Sequence, residues 1–374
     1  MTIRVLSAGV FALILFPLFG VAQELVPDTV VVSKARVVEI VSQKTLEIAG
    51  TDTEQLHQTI RAEILDGPEK GAVITVENDF LALAESDLFY LSHVTNEASG
   101  ADYYAVSERY RLPALLGFLA LFIAVTLAFG GKQGFRGLLA LVLSFAFIFL
   151  FLLPGILAGY SPILVAMGVA SLIVLIGSYV THGVNRMTSA AVIGMVATVL
   201  LTGALAYIAL YLTQFTGFYT DAAVYLNFNT RGAIDFSGLL MGGILIGILG
   251  VLYDAAIGQA VAVEELFAIG KGVSRFEVYK RALRIGREHI GALVNTLAIA
   301  YTGAALPLLL LMYNVGTNVS LALNSEVIAV EIIRILVGSI GIVLAVPLTT
   351  AISVWMLAGG RHNDSTAVMH KHAH

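Results

Sequence analysis

Four polar side chains set in apolar surroundings are the residues of this chain best placed to do chemistry. Asp254 closes the run Gly250-Val251-Leu252-Tyr253-Asp254, and Glu288, Asn295 and Thr302 then recur every seven residues. On a straight helix a seven-residue repeat drifts by only ~20° per step, so a carboxylate, an amide and a hydroxyl share one stripe. Polar groups at depth in a membrane usually turn to the bundle interior or to a wet cavity. Asp254 is therefore expected to meet this stripe. The arrangement suits an ion or proton path. Hydrogen bonding that pins two helices together is the plainer use of the same residues. Glu331 and Arg334 lie one turn apart near the start of the last apolar run. Such an (i, i+3) pair can neutralise itself, or serve as a gate or counter-charge. The candidate intramembrane polar path is thus Asp254, Glu288, Asn295, Thr302, Glu331 and Arg334.

Other chemistry finds no nominee. The chain has no cysteine, which removes disulfides, thiolate metal sites and cysteine nucleophiles. It has no His-Glu-x-x-His or Gly-x-Ser-x-Gly motif, and Gly130-Gly131-Lys132-Gln133-Gly134 lacks the spacing and trailing hydroxyl of a phosphate loop. Neither an enzyme nor a cofactor is expected. His57 and His93 stand isolated in the sequence and take the plain surface interpretation. His362, His370, His372 and His374 lie in a histidine-rich tail over 358–374, where terminal disorder is the commoner state and metal capture the sharper alternative. The basic segment near residue 280 is short and amphipathic, a poor fit to nucleic acid.

The elements that must carry these residues follow from composition. Of 374 residues 58% are hydrophobic and 13% charged, more apolar surface than one soluble core can hide. Residues 1–22 hold Arg4, an apolar stretch and Gly20-Val21-Ala22, the pattern of a signal peptide. An uncleaved anchor helix is the competing interpretation. Residues 23–111 are polar and β-rich. Thr29–Val41, Thr45–Ala49, Gln58–Leu65, Ala72–Glu77 and Tyr103–Val106 are strand candidates, with a strong turn at Asp66–Gly71. Short strands in that number suggest a small barrel of the OB or SH3 type.

Apolar runs follow at Leu112–Phe129, Leu138–Leu157, Ile163–Val180, Ala190–Leu212, Ser237–Ala256, Ile290–Tyr313 and Val327–Leu357. Most have the ~20 residues that cross a bilayer core. The last contains Pro347, so a kink, a tilt or two half-helices is expected. Basic residues gather in alternate loops, which places the N-terminal domain outside and the C-terminus inside. Gly238, Gly242, Gly243, Gly247 and Gly250 crowd the fifth run and suggest a central, closely packed helix. Ser274-Arg275-Phe276-Glu277 is a capping box. It opens an amphipathic helix near 274–289, expected to lie along the inner membrane surface.

Gly250–Asp254, Ile285-Gly286-Arg287-Glu288-His289-Ile290-Gly291 and the stretch Asn295–Pro307 resemble the signature segments of the YibE/F-like family of bacterial multi-pass membrane proteins. The resemblance covers roughly 112–357. It implies a membrane location and a helical bundle, but no settled activity. Several members of that family carry Asp where Glu288 stands. The fold class expected is an all-α polytopic membrane bundle of about seven transmembrane helices behind a small extracytoplasmic β-rich domain. The function expected is permease or channel-like transport of a small solute or ion across the bacterial cytoplasmic membrane. The rival is a non-transporting scaffold whose exported domain recruits an envelope partner. The lipid bilayer is the first partner, with an envelope protein and a homo-oligomer left open.

Overall fold

The structure is a computed structural model that describes residues 29–48, 50, 53–79, 81–96, 100–269, 272–314 and 318–358. Residues 1–22, expected as a signal peptide or an uncleaved anchor, and residues 359–374 of the histidine-rich tail lie outside the described residues. The chain divides into two compact units, Met1–Phe122 and Ile123–His374.

The first unit is built on β1 (Thr29–Glu47), β2 (Glu54–Ile64), β3 (Val73–Asn78), β4 (Leu88–Asn96) and β5 (Ala101–Arg109). They form one antiparallel sheet in the order β3-β2-β1-β4-β5. Alternation sets its inner face: Ala35 and Val37 on β1, and Ile60, Ala62 and Ile64 on β2, are buried with Phe89 and Leu91 of β4. Buried Gln58 stitches the connection after β3 to this core. Its Nε2 donates to the Leu83 carbonyl at 2.8 Å, while its Oε1 accepts from Leu83 N at 3.0 Å and from Asn78 Nδ2 at 2.9 Å.

The expected closed barrel is not formed. Register shifts at Val37/Glu39 and Ile40/Ser42 mark irregularities in β1, the kind of feature that bends a strand. The edge strands β3 and β5 come into contact without forming a ladder. Side chains close the seam instead. Tyr104 of β5 donates its hydroxyl to Glu69, in the β2–β3 turn, at 2.9 Å. His93 of β4 stacks on the Tyr104 ring at 4.5 Å between centroids. Its Nδ1 lies 3.4 Å from Glu69 and its Nε2 3.4 Å from Asp102. His93 is therefore not isolated; residues far apart in sequence converge on it. Thr45–Glu47 of the separate strand expected at Thr45–Ala49 is the end of β1, and β4 is an addition.

The second unit is helical. After the sheet come α1 (Leu112–Phe147), a π-turn (Ile148–Leu152), α2 (Leu153–Leu157), α3 (Pro162–His182), α4 (Arg186–Thr213) and α5 (Asp221–Asn229). Then follow α6 (Phe236–Ile269), α7 (Arg275–Ala304), α8 (Leu306–Asn314), α9 (Val319–Asn324) and α10 (Glu326–Ala358). Among the described residues, five helical stretches are long and apolar enough to cross a membrane, or six if the bent pair α7 and α8, at 63°, makes one span. The first stretch is 46 residues long. It breaks at Gly131, whose φ of 51° and ψ of −133° leave the helical region. Gly134 thereby comes against the Thr126 carbonyl, which an unbroken helix would hold about 12 Å away. The seven expected apolar runs therefore map onto six helical stretches, the first carrying two runs.

Two further expectations change. The amphipathic helix is not a separate surface element, since α7 carries it and the polar stripe as one continuous helix. Nothing between Ser274 and Ala304 breaks it, and its N-cap Ser274 Oγ accepts from Glu277 N. The fifth run continues to Ile269, so only a short connection separates α6 from α7.

α6 is the most buried of the candidate spans. Glycines set its neighbours close: Gly242 abuts the Pro162 carbonyl of α3, and Gly338 of α10 abuts Ile248. α4 and α10 run antiparallel with two matched notches. A Cβ on Gly194 would lie 2.9 Å from Thr349 Cα, and one on Gly341 would lie 2.6 Å from Thr202 Oγ1. Thr198 and Thr202 return their hydroxyls to carbonyls one turn back at 2.8 Å, and Thr350 donates to Gln259 of α6 at 2.8 Å. These three buried hydroxyls find acceptors within the bundle.

Two outcomes follow from this packing. Gly194→Ala forces α4 from α10 and should cost about 1–3 kcal/mol. Gly168→Ala, where a Cβ meets nothing within 4 Å, should gain up to about 1 kcal/mol from helix propensity. Thermal unfolding in detergent compares them. In the sheet, burial first and the Glu69 hydrogen bond second hold the Tyr104 phenol above its ordinary value. Neutral Tyr104 then contributes fully below the unfolded phenol value of ~10, and the contribution fades as pH rises through the higher folded value. Tyr104→Phe should cost about 1 kcal/mol near neutrality and remove part of the alkaline melting seen by near-ultraviolet circular dichroism.

Candidate functional site

The residues of the polar stripe stand on one helix but turn away from the bundle. α7 packs through Val278, Ala282, Gly286 and Leu297, which are buried. Gly286 fits against Gln259 and Val346, and Leu297 against Gly338. Asn295 follows Gly286 by nine residues, about 180° around a helix of 3.6 residues per turn. Glu288, Asn295 and Thr302 are accordingly exposed. Asp254 is exposed as well, on α6, and among the described residues no hydrogen bond joins it to the stripe. The expected meeting of Asp254 with an inward-facing stripe does not occur, because α7 turns Val278, Ala282, Gly286 and Leu297 into the bundle and the stripe lies on the opposite face.

Glu331 and Arg334 do come together, and the structure adds two tyrosines. Arg334 Nη1 lies 3.0 Å from Glu331 Oε1, with side chains 21% and 19% exposed, so the pair is largely withdrawn from solvent. Arg334 Nη2 donates to the Tyr219 hydroxyl at 3.2 Å. The guanidinium also sits 5.3 Å from the centre of the Tyr301 ring of α7, within cation–π range. The loop carrying Tyr219 is tied to the start of α10: Glu326 accepts from Gly217 N at 2.7 Å and from the Thr216 hydroxyl at 2.9 Å. Phe218 packs on Phe236 with ring centroids 4.7 Å apart and planes tilted by 35°. Neither tyrosine is signalled by spacing, since Tyr219 is 115 residues from Arg334.

Arg334 opens on a pocket of about 330 Å³ lined also by Gly217, Tyr219, Thr220, Phe236 and Gly243. A second pocket of about 430 Å³ is lined by Ser144, Ile148, Gly177, Thr181, Gly250 and Tyr253. Gly243 and Gly250 both belong to α6, two turns or about 10 Å apart on one face. Neither has an atom within 4 Å of where a Cβ would stand. Gly247, between them in height, is covered by the Tyr301 hydroxyl. The bare face of α6 therefore runs from the Arg334 pocket, past Tyr301, to the Gly250 pocket, and Asp254 lies one turn further on. One end offers a cation with unused N–H donors, the other a carboxylate, and apolar walls lie between.

A family model described as YibE/F-like protein matches residues 118–359. No curated protein and no solved structure matches the chain. The match covers well over half of the sequence, and the chain belongs to the YibE/F-like family.

The ion pair carries its own test. Arg334→Met alone leaves the Glu331 carboxylate without its partner and should cost about 2 kcal/mol, whereas Arg334→Met with Glu331→Leu should cost clearly less. Melting temperatures of the two variants and of Glu331→Leu complete the cycle.

Proposed function

We propose that this chain is a permease-like integral protein of the bacterial cytoplasmic membrane, which passes a small amphipathic anion along the bare face of α6. The N-terminal sheet lies outside and the C-terminus inside, on the alternation of loop charges. The observation that carries the transport reading is the pair of pockets in line along α6, one of them holding Arg334. An anion's charged end would compete with Glu331 for the guanidinium, whose planar fork suits a carboxylate. Its apolar part would rest on Phe236 and the glycine face. Tyr301 is the gate, because its hydroxyl covers Gly247 and its ring meets Arg334. Movement of that ring would join the two pockets. The outward stripe of α7 has no part in this path.

Proteoliposome flux of alkyl carboxylates of increasing chain length tests the proposal. Gly250→Leu fills the second pocket without a backbone clash and should lower flux at least tenfold. Gly168→Leu, on α3 and outside both pockets, should leave flux unchanged. Equal flux through Gly250→Leu and the parent protein, with both inserted, would sink the reading.

A further inference from the structure

The outward face of α7 is the part of the helical unit that a lipid environment suits least. Gly247 abuts Tyr301 and Gly286 abuts Gln259, so Asn295 stands level with about Leu252, the middle of α6. Its amide is exposed and, among the described residues, without a hydrogen-bond partner. A polar group at mid-height that faces out of the bundle requires company other than acyl chains. The same face repeats at alternating four- and three-residue steps: Arg284, Glu288, Gly291, Asn295, Ala298 and Thr302. That is the spacing at which two helices wind together in a left-handed pair. All six are exposed except half-buried Ala298, and no atom lies within 4 Å of a Cβ built on Gly291.

We infer that two copies of this chain pair through α7, side by side and parallel, about a two-fold axis along the helices. The seam is complementary to itself. An asparagine amide both donates and accepts, so Asn295 pairs with its own counterpart. Arg284 stands one turn from Glu288 on the same face, so the carboxylate of one copy can pair only diagonally, one turn along the seam, with the guanidinium of the other. Gly291 and Ala298 leave room for backbones to approach. An asparagine in such a seam also fixes register, since any slip strands both amides. A different membrane protein could cover the face, but nothing on it calls for chemistry that a second copy lacks.

The inference rests on the membrane placement proposed above, not on transport. The absence of cysteine allows single cysteines to be placed without background. Thr302→Cys and Ala298→Cys lie on the seam, while Thr296→Cys lies about 100° away from Asn295 on the same helix. Oxidation with copper phenanthroline in native membranes should link the first two into a species of twice the monomer mass and leave the third monomeric. Asn295→Leu in the Thr302→Cys background should reduce that product at least threefold. The proposal is overturned if Thr302→Cys stays monomeric although it reacts with a membrane-permeable maleimide. It is also overturned if Thr296→Cys links equally well, or if the product contains another protein. Because the readout is covalent mass, a failed flux assay leaves the result interpretable.

Discussion

Backbone proximity at small residues is the constraint on which the helical unit depends. Were helices of this apolar character set in a bilayer, lipid tails would compete on equal terms with leucines, and burial of grease could not choose partners. Contact has to come from shape and from a few directed polar bonds. Gly194 and Gly341 supply the shape by receiving Thr349 and Thr202, each helix giving one notch and one hydroxyl. Gln259 and Thr350 supply a directed bond between α6 and α10. Gly286 extends the same device to α7, on the face that turns into the bundle.

The candidate site is a by-product of the same economy of side chains. Where glycines of α6 meet a neighbour they draw helices together, and where they meet none they leave open space. Gly242 packs against α3, but the adjacent Gly243 lines a pocket. Arg334 occupies that space without isolation because a carboxylate, a phenol and an aromatic face satisfy it from three elements. The tie from Glu326 to the loop at Gly217 keeps the phenol of Tyr219 in place. A guanidinium held this way is preorganised yet incompletely saturated with acceptors, which suits exchange of one carboxylate for another.

Much of the architecture was legible in the sequence, and its failures have specific causes. The apolar runs mark every long helix because length and hydropathy determine them directly. The first run ends at Phe129, two residues before the break at Gly131 beside Lys132. β4 escaped notice because Ser92, His93 and Thr95 blur the alternation that Phe89 and Leu91 begin. The closed barrel failed because strand count does not determine whether edges pair. Glu331 and Arg334 are readable as neighbours from spacing alone, but Tyr219 and Tyr301 reach them only through the tertiary fold. The stripe of Glu288, Asn295 and Thr302 shows the subtler limit. Periodicity groups residues on one face but does not say whether that face looks inward. The answer lay in Val278, Ala282, Gly286 and Leu297, which α7 turns into the bundle.

The seam of the N-terminal sheet has a consequence for solubility outside any bilayer. An open antiparallel sheet ordinarily offers two rows of unclaimed amides and carbonyls, which invite strand addition by a neighbouring chain. Here β3 and β5 confront each other, and the Glu69, His93 and Tyr104 side chains hold them so. Each edge becomes the other's shield. Loosening that latch would expose both at once, turning the sheet into a template for runaway edge-to-edge association.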